Sequence, residues 1–84
     1  MTQLLDPPQP LEVEVDDAGQ PRHVQGRPLA GPVRPVVRWI IEVDWWTSSP
    51  VSREYWRVLL RERLMCEIYR DRAGGAWYLE RVYD

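Results

Sequence analysis

Lysine, asparagine and phenylalanine are absent from this 84-residue chain, and cysteine and histidine occur once each. A single Cys66 excludes an intrachain disulfide and gives no sign of an oxidising compartment. Cys66 and His23 stand far apart in the chain, with no second thiol or imidazole to complete a metal site, so neither metal nor cofactor is expected. They also make a poor nucleophile–base pair, because no third group is spaced to orient a base. A Gly-rich phosphate loop is missing; Gly74-Gly75 runs into Ala76 and Trp77 and reads as a turn. Long apolar runs are missing too, so no membrane span is expected. Met1 to Pro8 has neither a basic region nor an apolar stretch, which argues against a signal peptide and for a cytoplasmic location. No constellation satisfies the geometric requirements of catalysis, and the chain is read as non-enzymatic.

All the basic residues are Arg, against a slight acidic excess that leaves a net charge of −2. That balance provides no general pull on nucleic acid. The distribution is uneven: residues 1–20 carry acids and no Arg, and residues 21–41 carry Arg and no acid. A chain this short forms one domain that buries only about 60–65% of its unfolded surface. Five Trp and four Tyr offset the thin core, since each ring can bury on the order of 150–250 Å².

Hydrophobic periodicity predicts short strands. Residues 1–9 read as a flexible Pro-rich arm, because Pro7 and Pro8 (with Pro10 just after) deny regular structure. Residues 10–84 read as a single β domain. Leu11-Glu12-Val13-Glu14-Val15 alternates cleanly, and Asp16 to Gln20 has turn chemistry. A returning strand near Arg22 to Arg27 would set Arg22 or Arg27 beside Glu12 or Glu14. Val36 to Val43 is the longest β-branched run, with Val37, Trp39, Ile41 and Val43 on one face and Val36, Arg38, Ile40 and Glu42 on the other. Ala76 to Tyr83 is a last strand whose inward face depends on register.

The stretch Tyr55–Tyr69 organises the rest. Taken at period two, Trp56, Val58, Leu60, Leu64, Cys66 and Ile68 form an apolar set, and the residues between them are mixed and charged. A reversal over Arg61-Glu62-Arg63 pairs Leu60 with Leu64, Val58 with Cys66 and Trp56 with Ile68. It also sets Arg57 against Glu67 and Tyr55 against Tyr69. A helix over the same residues would be apolar all round, which suits neither a small domain nor a soluble surface. The predicted fold is therefore all-β: an antiparallel sheet of about five or six strands curling into a partial or closed barrel.

Two surfaces are candidates for binding. Trp45-Trp46, with Pro50 close behind, places two indoles at a corner. One reading has both packed; the other leaves one exposed as an anchor for a protein partner. The outer face of the hairpin, with Tyr55, Arg57, Arg61, Arg63 and Tyr69, interleaves aromatics and Arg as single-strand binders do. Glu62 and Glu67 among those Arg favour a solvated face of ion pairs instead. Docking of a protein is thus the first expectation, through an indole or by strand addition at an open edge; nucleic-acid binding is the alternative. A monomer or weak homodimer is expected.

The order of motifs resembles a known family. Leu11-Glu12-Val13-Glu14-Val15, a Gly-bounded turn, Val43-Asp44-Trp45-Trp46, Ser52-Arg53-Glu54-Tyr55-Trp56-Arg57-Val58, Ile68-Tyr69-Arg70-Asp71 and Trp77 to Asp84 follow one another. The series is similar to the C-terminal domain of ImuB-like proteins, Y-family DNA polymerase homologues of the bacterial mutasome, and to small bacterial proteins carrying that domain alone. The resemblance implies an accessory role near damage-induced DNA synthesis, with a polymerase-like or recombinase-like mutasome component as partner. It implies no catalytic function and transfers no binding residues. Where the family has an acidic-Gly turn, this chain has Arg61-Glu62-Arg63.

Overall fold

The structure is a computed structural model and describes residues 2–27, 29–43 and 51–83. Every described element is a strand: β1 (Thr2–Val15), β2 (Pro21–Gly26), β3 (Ala30–Val43), β4 (Val51–Leu60), β5 (Leu64–Asp71) and β6 (Trp77–Tyr83). Each strand pairs antiparallel with the next, and β6 returns to β1, so the hydrogen bonds close into a ring. The all-β antiparallel prediction holds.

The β4–β5 hairpin has the predicted register throughout. Leu60 faces Leu64, Val58 faces Cys66, Trp56 faces Ile68, Arg57 faces Glu67 and Tyr55 faces Tyr69. Trp56, Val58, Leu60, Cys66 and Ile68 are buried inside the ring with Leu11, Val24, Val33 and Leu79. Each fully buried aliphatic side chain contributes about 1.5–3 kcal/mol of transfer free energy. The space left among them is about 10 Å³, no more than a single water would need, so these side chains enclose no room for a ligand.

Its turn uses none of the residues that left-handed backbone favours. Arg61 and Glu62 have φ of 52° and 57°, and Arg63 N–H donates to Leu60 O at 3.0 Å. Such geometry costs an L-residue roughly 1–2 kcal/mol. Neighbouring β3 holds it in place. Arg34 donates to both Glu62 carboxylate oxygens, Arg61 N–H donates to Pro32 O, and Arg61 Nε donates to Ala30 O. The Arg61 guanidinium lies where a side chain on Gly31 would stand, which is why the chain is bare there.

Two bulges decide which residues face inward. In β6 the register slips opposite Glu67/Ile68, so Leu79 faces Ile68 while Val82 faces Cys66. Neither alternating set of β6 is therefore the inner one throughout: Leu79 joins the core and Val82 packs against it. In β3 the slip between Pro35 and Val37 takes Val36 out of pairing. Arg38, not Val37, then faces Trp56.

Three expectations are corrected. Residues 2–9 are not a loose arm: Thr2, Gln3 and Leu4 pair with Tyr83, Val82 and Arg81. Pro7 and Pro8 lie in the interruption between Leu4 and Gln9, where no ladder donor is required of them. Arg22 reaches Asp16 at 2.8 Å, since Glu14 is opposite His23 and Glu12 opposite Gln25. The hairpin's outer face is not simply wet, as set out next.

Candidate functional site

Outside the ring, β3 to β6 carry a second layer. Trp39, Tyr55, Tyr69 and Tyr78 occupy one cross-strand row. Their ring centroids follow at 5.4, 5.1 and 5.2 Å, a spacing that suits stacked rings. Tyr55 and Tyr69 are only 5% and 4% exposed. Arg53 covers the Tyr69 ring at 4.5 Å, and Tyr55 donates its hydroxyl to Glu80 at 2.9 Å. Burial lifts the Tyr55 phenol above its ordinary pKa, which keeps it a neutral donor.

The adjoining row is ionic. Glu67, itself 6% exposed, accepts from Arg57 at 2.8 Å and from the Tyr83 hydroxyl at 2.8 Å, with Arg81 at 3.6 Å. The hydrogen bond to Glu67 raises the Arg57 pKa further. Arg57 also lies 5.6 Å from the Trp39 ring and 5.1 Å from the Tyr83 ring. Among the candidates for nucleic-acid binding, Tyr55, Tyr69 and Arg57 are thus brought together but already occupied. Tyr55 and Tyr69 have ring neighbours on both sides along the row, so they present no free stacking platform. Arg61 is bound to Ala30, and Arg63 is exposed at the turn. That turn lies roughly 13 Å along the strand from Arg57. Trp45, Trp46 and Pro50 lie outside the described residues.

At the opposite end of the ring, a cleft of about 600 Å³ opens between the β1–β2 turn and β3. Glu54 sits at its base, 9% exposed, bonded by Arg38 at 2.6 Å and with Arg70 at 3.4 Å. Burial alone would raise the Glu54 pKa; the hydrogen bond from Arg38, with Arg70 nearby, reverses this and holds it below its ordinary value. The neighbouring Trp56 indole also favours the carboxylate, yet its buried Nε1 meets no partner at hydrogen-bond geometry. We count it as a polar neighbour rather than a bond. Burial pushes the Cys66 thiol up to about 11, which makes it a core residue rather than a nucleophile. Among the described residues, no group of three His, Cys, Asp or Glu side chains could hold a metal ion.

The surface that periodicity did not single out is the upper half of β3. Strand β2 is 6 residues long and β3 is 14. Pairing of β3 with β2 covers Ala30 to Pro32, and pairing with β4 continues to Val43. From Arg34 onward, no described strand pairs with the other edge of β3. Five large apolar residues stand exposed on that segment: Val36, Val37, Ile40, Ile41 and Val43. Residue order gave little signal of it, because the expected strands, Arg22 to Arg27 and Val36 to Val43, are close in length, and the extension of β3 back to Ala30 was not expected. β1 has an unpaired stretch of its own before Leu11, but Pro7, Pro8 and Pro10 interrupt it. β3 has no proline between Val36 and Val43. No family model, curated protein or solved structure matches the chain.

Proposed function

We propose that this chain is a non-enzymatic protein-interaction module that takes its partner by strand addition along the open edge of β3. The observation that carries the reading is an unpaired edge flanked on both faces by exposed Val36, Val37, Ile40, Ile41 and Val43. An extended segment laid there satisfies backbone donors and acceptors and covers apolar side chains at once. Trp45 and Trp46 follow β3 directly in the sequence and stay candidates for anchoring the same partner. The setting is the one the family resemblance implies, bacterial damage-tolerant DNA synthesis in the cytoplasm. A polymerase-like or recombinase-like component is the proposed partner class.

Single-stranded nucleic acid is the weaker alternative, because the rings of Tyr55 and Tyr69 are stacked and Arg57 is paired. Selection of extended peptides from a displayed library tests the first reading. Binders to the wild-type chain should lose at least about tenfold in affinity to Ile40→Pro: Ile40 stands opposite Glu54, whose backbone groups turn toward β5, so its N–H is a donor on the open edge. Binders indifferent to that change would end the strand-addition idea. Anisotropy of a labelled oligonucleotide at low salt should show no binding; binding lost on Arg57→Ala would favour the alternative.

A further inference from the structure

The open edge is self-complementary. Arg38, Ile40 and Glu42 alternate on one face of β3, and Val37, Trp39, Ile41 and Val43 on the other. Two copies of an edge strand can pair antiparallel about a two-fold axis, with each residue contacting its counterpart reciprocally. Register then decides which charges meet. With Arg38 on the axis the two guanidiniums oppose each other, and with Glu42 on the axis the two carboxylates do, both unfavourable. With Trp39 on the axis Arg38 lands opposite an apolar Ile40. With Ile40 on the axis Arg38 faces the partner's Glu42 and Glu42 faces the partner's Arg38. Val37 then meets the partner's Val43 and Trp39 meets the partner's Ile41. From Val37 to Val43 every charge finds its opposite and every apolar residue an apolar one.

Resting on the strand-addition reading, we propose that until a foreign partner displaces it the occupant of the β3 edge is a second copy of this chain, paired antiparallel with Ile40 on the two-fold axis. The side chains of Arg38 and Glu42 are 48% and 65% exposed, so each has room for a further partner beside Glu54 and Arg72. From Val37 to Val43 the edge carries no proline, no lysine and no bulge, and its two charges, Arg38 and Glu42, are opposite in sign, so they favour this register and oppose the others. The ring closes through β1 and β6 without this edge, so dimerisation does not require refolding.

Cysteine crosslinking reads the register directly, since Cys66 is buried and does not compete. Ile40 and Ile41 are equally exposed, at 42% and 41%. Residues opposite each other on an antiparallel pair lie about 4.5–5.5 Å apart at Cα, within disulfide reach. Ile40→Cys should therefore oxidise to a covalent dimer at least about tenfold faster than Ile41→Cys, with Leu4→Cys giving the collision background. Sedimentation equilibrium of the wild-type chain should rise from 10.0 kDa toward twice that mass with concentration. Ile40→Lys, which places two ammonium groups on the axis, should stay monomeric. Equal crosslinking at positions 40 and 41, or a monomer at every concentration, overturns the proposal. A monomer that still selects peptides sensitive to Ile40→Pro would overturn self-pairing alone and leave strand addition to a different partner.

Discussion

β3 and β5 lie on either side of β4, and the contrast between them is instructive. From Val36 to Val43, β3 holds Val, Trp and Ile at nearly every position; β5 mixes Leu, Met, Cys and Ile with Glu, Arg and Asp. The more apolar strand is nevertheless the more exposed one. Cys66, Glu67, Ile68 and Tyr69 are all buried, whereas Val36, Val37, Ile40, Ile41 and Val43 are not. Both edges of β5 are paired, to β4 and to β6, and both its faces are covered. Upper β3 has a partner on one edge only. Topology, not hydrophobicity, thus sets burial within this chain, and the exposed apolar residues on an unpaired edge are what the proposed docking rests on.

The largest way to break that contrast is to remove one methyl-rich side chain from each strand. Ile68→Ala should lower stability by about 2–5 kcal/mol, because Ile68 is 1% exposed and the ring leaves no room to relax. Ile40→Ala, measured on the dilute monomer, should fall within about 0.5 kcal/mol of wild type. Denaturant midpoints compare the two directly; similar losses would mean that upper β3 is packed against something in the folded chain.

Charge repeats the contrast on a smaller scale. Glu67 on β5 is buried among Arg57, Arg81 and Tyr83, and Glu42 on β3 is exposed beside Arg72. Glu67→Gln should cost about 1–3 kcal/mol, below the full penalty for a buried pair because both Arg partners are more than a third exposed. Glu42→Gln should change monomer stability by less than about 1 kcal/mol. Equal effects from thermal melts would mean that the outer layer is no better ordered than the open edge of β3.

The hairpin end of β4 can be sharpened rather than broken. Replacing Arg61-Glu62 by Asn-Gly removes two strained residues and also the bonds from Arg34 and to Ala30. Relief of about 1–2 kcal/mol per residue exceeds the loss of fully exposed ion pairs, which solvent screens. A net gain of about 1 kcal/mol in urea unfolding is the expected outcome. A loss would show that the contacts to β3 outweigh the strain.

Much of this arrangement was legible in the residue order, and what was not has specific causes. The β4–β5 register followed from two interleaved sets, because one-residue slippage would bury Arg57 and expose Val58. β6 resisted the same treatment because its slip beside Glu80 changes parity midway, and alternation cannot announce a bulge. The N-terminal segment was read as an arm because three prolines argue against a strand, yet an edge with an interrupted ladder tolerates them. Tyr55 and Tyr69 were assigned to a wet face because period two separates faces without saying what covers each. Their burial depends on Trp39 and Tyr78, which lie outside the hairpin on the flanking strands β3 and β6. The open edge of β3 likewise belongs to no single strand; it arises from the shortness of β2.

The smallest effect concerns the cleft, where β3 and β5 both reach across β4 to the same carboxylate. Arg38 from β3 and Arg70 from β5 hold Glu54 ionised against the penalty of burial. Its folded pKa is therefore below the ordinary 4.5, so the folded state keeps a charge that the unfolded state loses first on acidification. The resulting stability is fully present above the unfolded value and disappears as pH falls through the folded one. Glu62 and Asp16 are depressed in the same direction by Arg34 and by the bonds of the β1–β2 turn, so they share the acid sensitivity. Glu54→Gln should accordingly lower stability at neutral pH and flatten, without abolishing, the decline in urea midpoint between about pH 6 and pH 3. If the variant kept the whole wild-type slope, Glu54 would be titrating alike in both states. The pairing of β3 and β5 through one buried carboxylate would then carry no energetic weight.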